Sequence, residues 1–304
     1  MAHINSNSDR QIKPEPFIPL SSDMKAKLEN SDCNFSLYSP RMVSWNFVKD
    51  KSENKKEKYK LEVDKSVIKS LCEQSKKSFS AVLDLLKKKN ELQKAYISEL
   101  DSQGIKTFEI KAKSSSPFIT GLGSGHPTET GMILDRNTGL PYIPASSIKG
   151  VLRLACAINL AKEKYTDGNV PDDDEALVKY FGSESDKNPK RGQLIILDAY
   201  PESVPSLKVD IMNPHFGEYY SGENKQPVET GTPKPIKFLT VEEGVPVVFR
   251  CAFMPLGNKI FSDEEIQKDV DEMFDTAFET VGFGGKTAIG YGRFKKIVTG
   301  APSK

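Results

Sequence analysis

The sequence has almost no charge imbalance. Its 43 lysines and arginines stand against 42 aspartates and glutamates, a net charge of +1 over 304 residues. That excludes a chain that gathers nucleic acid by a global field, so any polyanion contact has to come from a local patch or be shared with other chains. Histidine is scarce, at three residues, and the four cysteines (Cys33, Cys72, Cys156 and Cys251) lie far apart with no CxxC pair. Cysteines spaced like this suit a reducing compartment and leave a structural zinc site without ligands, so no metal and no cofactor is expected. No signal-peptide pattern and no bilayer-length apolar run is present, which predicts a soluble, cytoplasmic chain without membrane contact. Hydrophobic residues at 37% against 28% charged residues suffice for a core under a heavily charged surface, in one large domain or two small ones.

What the chain has in abundance is glycine at one place. Residues 282–294 read Gly-Phe-Gly-Gly-Lys-Thr-Ala-Ile-Gly-Tyr-Gly-Arg-Phe. Glycine at that density permits positive φ and close backbone approach, and successive free N–H groups form an anion-binding nest. Lys286 and Arg293 add positive charge and Tyr291 a stacking face, a set of parts suited to a ribose-phosphate chain. A nucleotide P-loop is excluded, because Thr280 stands where its first glycine belongs and the order here is helix, loop, strand. Gly282 reads as an ordinary helix stop. That explanation does not extend to the four glycines that follow, interleaved with Lys286, Tyr291 and Arg293.

Ahead of this stretch, residues 1–30 are polar and aperiodic and read as a loose tail. Residues 49–60 read as a charged linker. Apolar residues recur at helical spacing from Asp64 to Leu100, which predicts one long helix. Alternation over 108–113 predicts a strand, followed by a long Gly/Ser/Thr/Pro loop over 114–131. Asp135 opens the turn of a small hairpin. Ser146 or Ser147 is expected to cap a helix reaching about Lys164, with Lys149 and Arg153 on a face away from its apolar stripe. Strands are expected over 193–199 and 245–253. Ser262 with Glu265 reads as a capping box for a helix that feeds the glycine stretch, and the alternation after it predicts a last strand reaching Val298.

The glycine stretch resembles the C-terminal glycine-rich loop of the RAMP superfamily, the repeat-associated proteins of CRISPR RNA-guided complexes. Two further segments, 117–131 (with Pro117, Thr120, Gly121 and His126) and 141–150 (with Pro144, Ser147, Lys149 and Gly150), narrow the resemblance to the subunits of Cmr (type III-B) complexes. It covers roughly residues 105–298. The predicted elements run strand, helix, strand, strand, helix, strand, and the resemblance implies the same. Both give an α+β, ferredoxin-like (RRM-like) βαββαβ core with insertions. The expected division is a tail and helical extension over 1–104 and a RAMP domain over 105–304, with a Pro/aromatic-rich insertion at about 200–244. The resemblance implies a non-catalytic subunit that caps a backbone filament, with CRISPR guide RNA, target RNA and other Cmr backbone subunits as partners and no small-molecule substrate. The RNA-binding candidates are His126, Lys149, Arg153, His215, Gly284, Gly285, Lys286, Tyr291 and Arg293, with Tyr219 and Tyr220 as possible stacking residues. Two alternatives stand beside this. One is a metal-independent endoribonuclease using His126 or His215 as acid or base. The other is a scaffold that binds only protein neighbours through its N-terminal helix.

Overall fold

The computed structural model describes residues 18–29, 33–49, 59–64, 66–165, 167–183, 189–213, 226, 235–256 and 261–297. Among the described residues the first element is α1 (Ser22–Glu29), which buries none of its residues and falls within the expected tail, whose residues 1–17 lie outside those described. Next come α2 (Phe35–Arg41) and a hairpin of β1 (Trp45–Lys49) with β2 (Tyr59–Val63). The expected charged linker is thus partly strand. The predicted long helix is two helices, α3 (Val67–Ala81) and α4 (Leu83–Ser102). The break at Val82 was hidden because the apolar spacing runs through it: Phe79, Val82 and Leu86 are all buried.

The central sheet contains β3 (Lys106–Ser114), β6 (Leu194–Ile196), β7 (Tyr200–Pro201), β10 (Pro246–Phe253) and β11 (Phe294–Lys296). Four of its strands lie in the order β11-β3-β10-β6, and β7 also pairs with β10; every pairing is antiparallel. Two small antiparallel pairs stand off it. They are β4 (Gly182–Ser183) with β5 (Lys190–Arg191), and β8 (Leu207–Met212) with β9 (Ile236–Val241). The last helices are α5 (Ala145–Glu163), α6 (Glu175–Phe181) and α7 (Asp263–Thr276).

β10 explains why the sheet is covered on both sides. Val247, Phe249, Cys251 and Phe253 belong to the main core with α5 and α7. Successive strand residues alternate faces, and Ala252 accordingly packs with Ile97 and Leu100 of α4. Arg250 is buried on that same face. Its Nε donates to Glu109 Oε2 at 2.9 Å and its Nη1 to Asn90 Oδ1 and Gln93 Oε1, both at 3.0 Å. Removing one partner of such a buried pair costs about 3–5 kcal/mol, so α4 is tied to the sheet by charge as well as apolar area.

Two expected caps form differently. α5 starts at Pro144, and the amide of Ala145 donates to Asp198 Oδ1 at 2.7 Å, so neither Ser146 nor Ser147 caps it. Ser262 is the cap residue of α7 but makes no side-chain cap bond, and Glu265 pairs with Lys179 at 2.8 Å instead. Among the described residues no helix is long and apolar enough to cross a membrane.

Candidate nucleic-acid interface

α7 continues into a π-helical turn, Ala277–Val281, in which the Gly282 amide reaches back to the Ala277 carbonyl at 2.7 Å. Such turns concentrate at functional sites. Phe283 then drives into the core. Its ring lies 5.1 Å from Phe249, 5.8 Å from Phe278 and 5.9 Å from Phe294. The loop is therefore anchored by a buried aromatic residue, whose removal would cost about 3–5 kcal/mol.

From there the loop closes on the segment that leaves β3. The Gly285 amide donates to the Ile119 carbonyl at 2.8 Å, the Gly292 amide to the Pro117 carbonyl at 2.8 Å, and the Arg293 amide to Ser116 Oγ at 2.9 Å. Phe283 N bonds Gly292 O at 2.9 Å across the loop. Gly284 has φ +98°, and a Cβ there would collide with the Ile119 carbonyl oxygen. These amides were expected to face outward as a nest. They face inward, because a buried N–H needs a partner and the Pro117 and Ile119 carbonyls and the Ser116 hydroxyl supply it.

The side chains of the loop rest on the β8–β9 hairpin. Tyr291 donates to Asp210 Oδ2 on β8. Burial and that hydrogen bond push its phenol up to about 12, so it is neutral at physiological pH. Asp210 is held below the usual carboxylate range: burial opposes this, but hydrogen bonds from Tyr291 and the Ile211 amide win. Lys286 is one of two non-glycine residues with positive φ among those described, at +62°. Its Nζ lies 5.4 Å from the Phe238 ring of β9 and 5.7 Å from the Tyr291 ring. The Tyr291 ring is thus a seat for Lys286 rather than a free stacking face. Arg293 turns back on the loop: Nη2 donates to the Thr287 carbonyl at 3.3 Å, and Nη1 is buried with no hydrogen-bond partner among the described residues.

The other candidates sit apart from this cluster. Lys149, half-buried in the second turn of α5, lines a cleft of about 290 Å³ with Ser146 and Arg191. Arg153 is not a free cation; its Nη2 bonds Asp172 Oδ1 at 2.9 Å, a surface pair that a stronger anion could replace. His126 Nδ1 lies 2.7 Å from Thr128 Oγ1, and burial lowers the imidazole's pKa against an opposing contact with the Ser39 backbone. His215, Tyr219 and Tyr220 lie outside the described residues. Asp135 is buried and fully engaged. Oδ1 accepts from the Asn137 and Thr138 amides and the Thr138 hydroxyl, and Oδ2 from Lys89 and Tyr200. Sequence reading missed Ser116, Ile119, Asp210 and Phe238, which carry no local signal for a role at a loop so far along the chain.

A family model of the RAMP superfamily matches residues 111–295. The chain belongs to the RAMP superfamily. Within it, the chain is similar to the CRISPR system Cmr subunit Cmr6 of Pyrococcus furiosus, at 31% identity over 241 residues, 62% of this chain and 67% of that protein. A shorter match, 37% identical over 76 residues, is to the CRISPR system Cms endoribonuclease Csm3 of Streptococcus thermophilus; it covers 25% of this chain and 34% of the relative. Among solved structures, a chain in a type III-B Cmr-beta complex bound to cognate target RNA shares the fold. Its TM-score is 0.52 at 19% identity, with 77% of this chain and 75% of that one covered.

Proposed function

We propose that this chain is a non-catalytic, RNA-binding subunit of a type III-B CRISPR RNA-guided interference complex. It caps one end of the backbone filament and holds guide RNA and its paired target beside other Cmr subunits. The similarity to a Cmr6 protein over two thirds of that protein's length supports the assignment. The observation that carries RNA binding is Lys286. A lysine kept in a left-handed conformation costs about 1–3 kcal/mol, so fold stability gives it no net advantage over glycine there. What the lysine adds is a positive charge set over two aromatic rings at the mouth of a rigid loop.

We read the core as ferredoxin-like with an N-terminal extension. The units β3–α5–β6 and β10–α7–β11 interleave in the sheet, as in a split βαβ arrangement. Residues 1–104 form the extension, 105–304 the RAMP domain and about 200–244 its insertion; in support, α4 buttresses the sheet face opposite α5 and α7.

The non-catalytic part of the reading is supported by the bonding of His126, the described candidate, and of Asp135, a loop aspartate. Asp135 has both oxygens engaged by five donors and so is not poised to move a proton, and the His126 imidazole is held by Thr128 at Nδ1 with its pKa lowered by burial. The endoribonuclease reading keeps one point in favour, the short match to Csm3. Two variant complexes test both questions. A complex carrying Lys286→Gly should lose RNA while staying assembled, and a complex carrying His126→Ala should cleave target like the wild type. The opposite pattern would reverse the assignment.

A further inference from the structure

We propose that Lys113 and Lys295 form a second RNA phosphate clamp, at the exposed end of the sheet face that α4 covers elsewhere, next to the glycine loop; the inference rests on the RNA-binding reading above. The register of β11 against β3 sets Lys295 directly opposite Lys113. In that arrangement the two Cβ atoms stand about 5 Å apart on one face, and like charges so placed are destabilising. Both side chains are exposed, and neither makes an ion pair among the described residues. Their neighbours behave differently. Lys111 pairs with Glu202 at 2.6 Å, Lys296 with Asp271 at 3.1 Å and Asp275 at 2.8 Å, and Arg250 with Glu109 at 2.9 Å. Among the described residues each of those three has a carboxylate, and the two lysines that face each other have none.

Two ammonium groups at that separation suit a phosphodiester better than a single carboxylate, because a phosphate presents several acceptor oxygens to both at once. Their position points to the same strand of RNA that reaches the glycine loop. Lys295 follows Arg293 by two residues, and the Arg293 amide is held by Ser116, three residues after Lys113. Lysine on an edge strand also guards against strand addition. That role accounts for Lys295 on the outer strand β11 but not for Lys113 on β3, which is paired on both sides.

The test compares assembled complexes carrying the wild-type chain, the Lys113→Gln/Lys295→Gln variant, a Lys268→Gln control on α7, and no copy of this chain. Two readouts are taken against salt: retention of labelled guide RNA without target, and binding of labelled RNA complementary to the guide. The clamp predicts that the double variant assembles, melts no lower than wild type, and loses about 1.4–1.8 from one log–log salt slope, at about 0.7–0.9 per contact. The slope that moves names the strand held. If the double variant assembles poorly, Lys113→Gln alone, which leaves the edge lysine in place, should lower the slope by about 0.7–0.9. Slopes equal to those of wild type overturn the clamp. If the complex without this chain matches wild type in both slopes, the RNA-binding reading itself has failed; if it differs while the variant does not, only the clamp has.

Discussion

Gly284 rests directly on the carbonyl of Ile119: a Cβ on the glycine would strike that oxygen, and the next amide, Gly285 N, donates to it at 2.8 Å. Two segments more than 160 positions apart in sequence thus share one oxygen. This contact fixes the glycine loop against the start of the 114–131 loop and determines where Lys286 and Tyr291 stand.

The glycines of the loop should therefore respond unequally to alanine. Gly284→Ala combines φ +98° with a backbone collision and is expected to cost 3 kcal/mol or more, on the order of the larger single-residue losses. Gly290→Ala has φ +95° but open space around it, so strain alone, about 1–2 kcal/mol, is expected. Gly285→Ala has no positive φ and meets only the Leu122 side chain at 3.0 Å, so its loss should stay within about 1 kcal/mol. Denaturant unfolding of the three variants checks the order; equal losses at Gly284 and Gly285 would mean that Ile119 is not the constraint.

Lys286→Gly should separate function from stability. It relieves about 1–3 kcal/mol of left-handed strain. Against that it loses two long cation–π contacts of roughly 0.5–1 kcal/mol each and adds unfolded-state entropy of about 0.4–1 kcal/mol. The terms nearly cancel, so the melting temperature should hold while RNA retention falls. A large drop in melting temperature would show that the lysine is structural.

Lys89→Met should destabilise the chain most at neutral pH. Asp135 is held below the usual carboxylate range. Burial, the largest influence, opposes this, and hydrogen bonds from Lys89 and Thr138 overcome it. For a carboxyl with a lowered folded pKa, the stabilisation is complete above the unfolded value and lost as pH falls through the folded one. The stability gap between wild type and Lys89→Met, measured by denaturant at falling pH, should narrow on the acid side. A gap independent of pH would mean that Asp135 and Lys89 are not coupled.

Tyr291→Phe should loosen the loop from the β8–β9 hairpin, at about 1.5–3 kcal/mol for a hydrogen bond to a charged group. Because the phenol is raised to about 12 from an ordinary 10, its contribution is full below pH 10 and fades as pH rises towards 12. Wild type and Tyr291→Phe should therefore converge in stability in strong alkali, as followed by tyrosinate absorbance together with unfolding.

The glycine loop was legible in the sequence because its signal is local: five glycines, a lysine and an arginine within twelve residues. Its partners were not, since Ser116, Ile119, Asp210 and Phe238 reach it only through the sheet and the hairpin. The outward nest failed for the same reason, the amides having a distant carbonyl to bond. The helix break at Val82 escaped because periodicity records which residues are buried, not whether the axis continues. The start of α5 escaped because its cap, Asp198, arrives from the segment between β6 and β7, 53 positions along the chain. The strands and helices of the sheet were readable, because alternation and helical spacing are set by which face meets the core.

The central claim is that this chain holds RNA at its glycine loop and at the start of α5. The most direct measurement is photocrosslinking of the assembled complex to labelled guide and target RNA, with the crosslinked peptides mapped on this chain. The account predicts crosslinks in peptides spanning 282–293 and 146–153. Crosslinks to neighbouring subunits with none in either segment of this chain would contradict it.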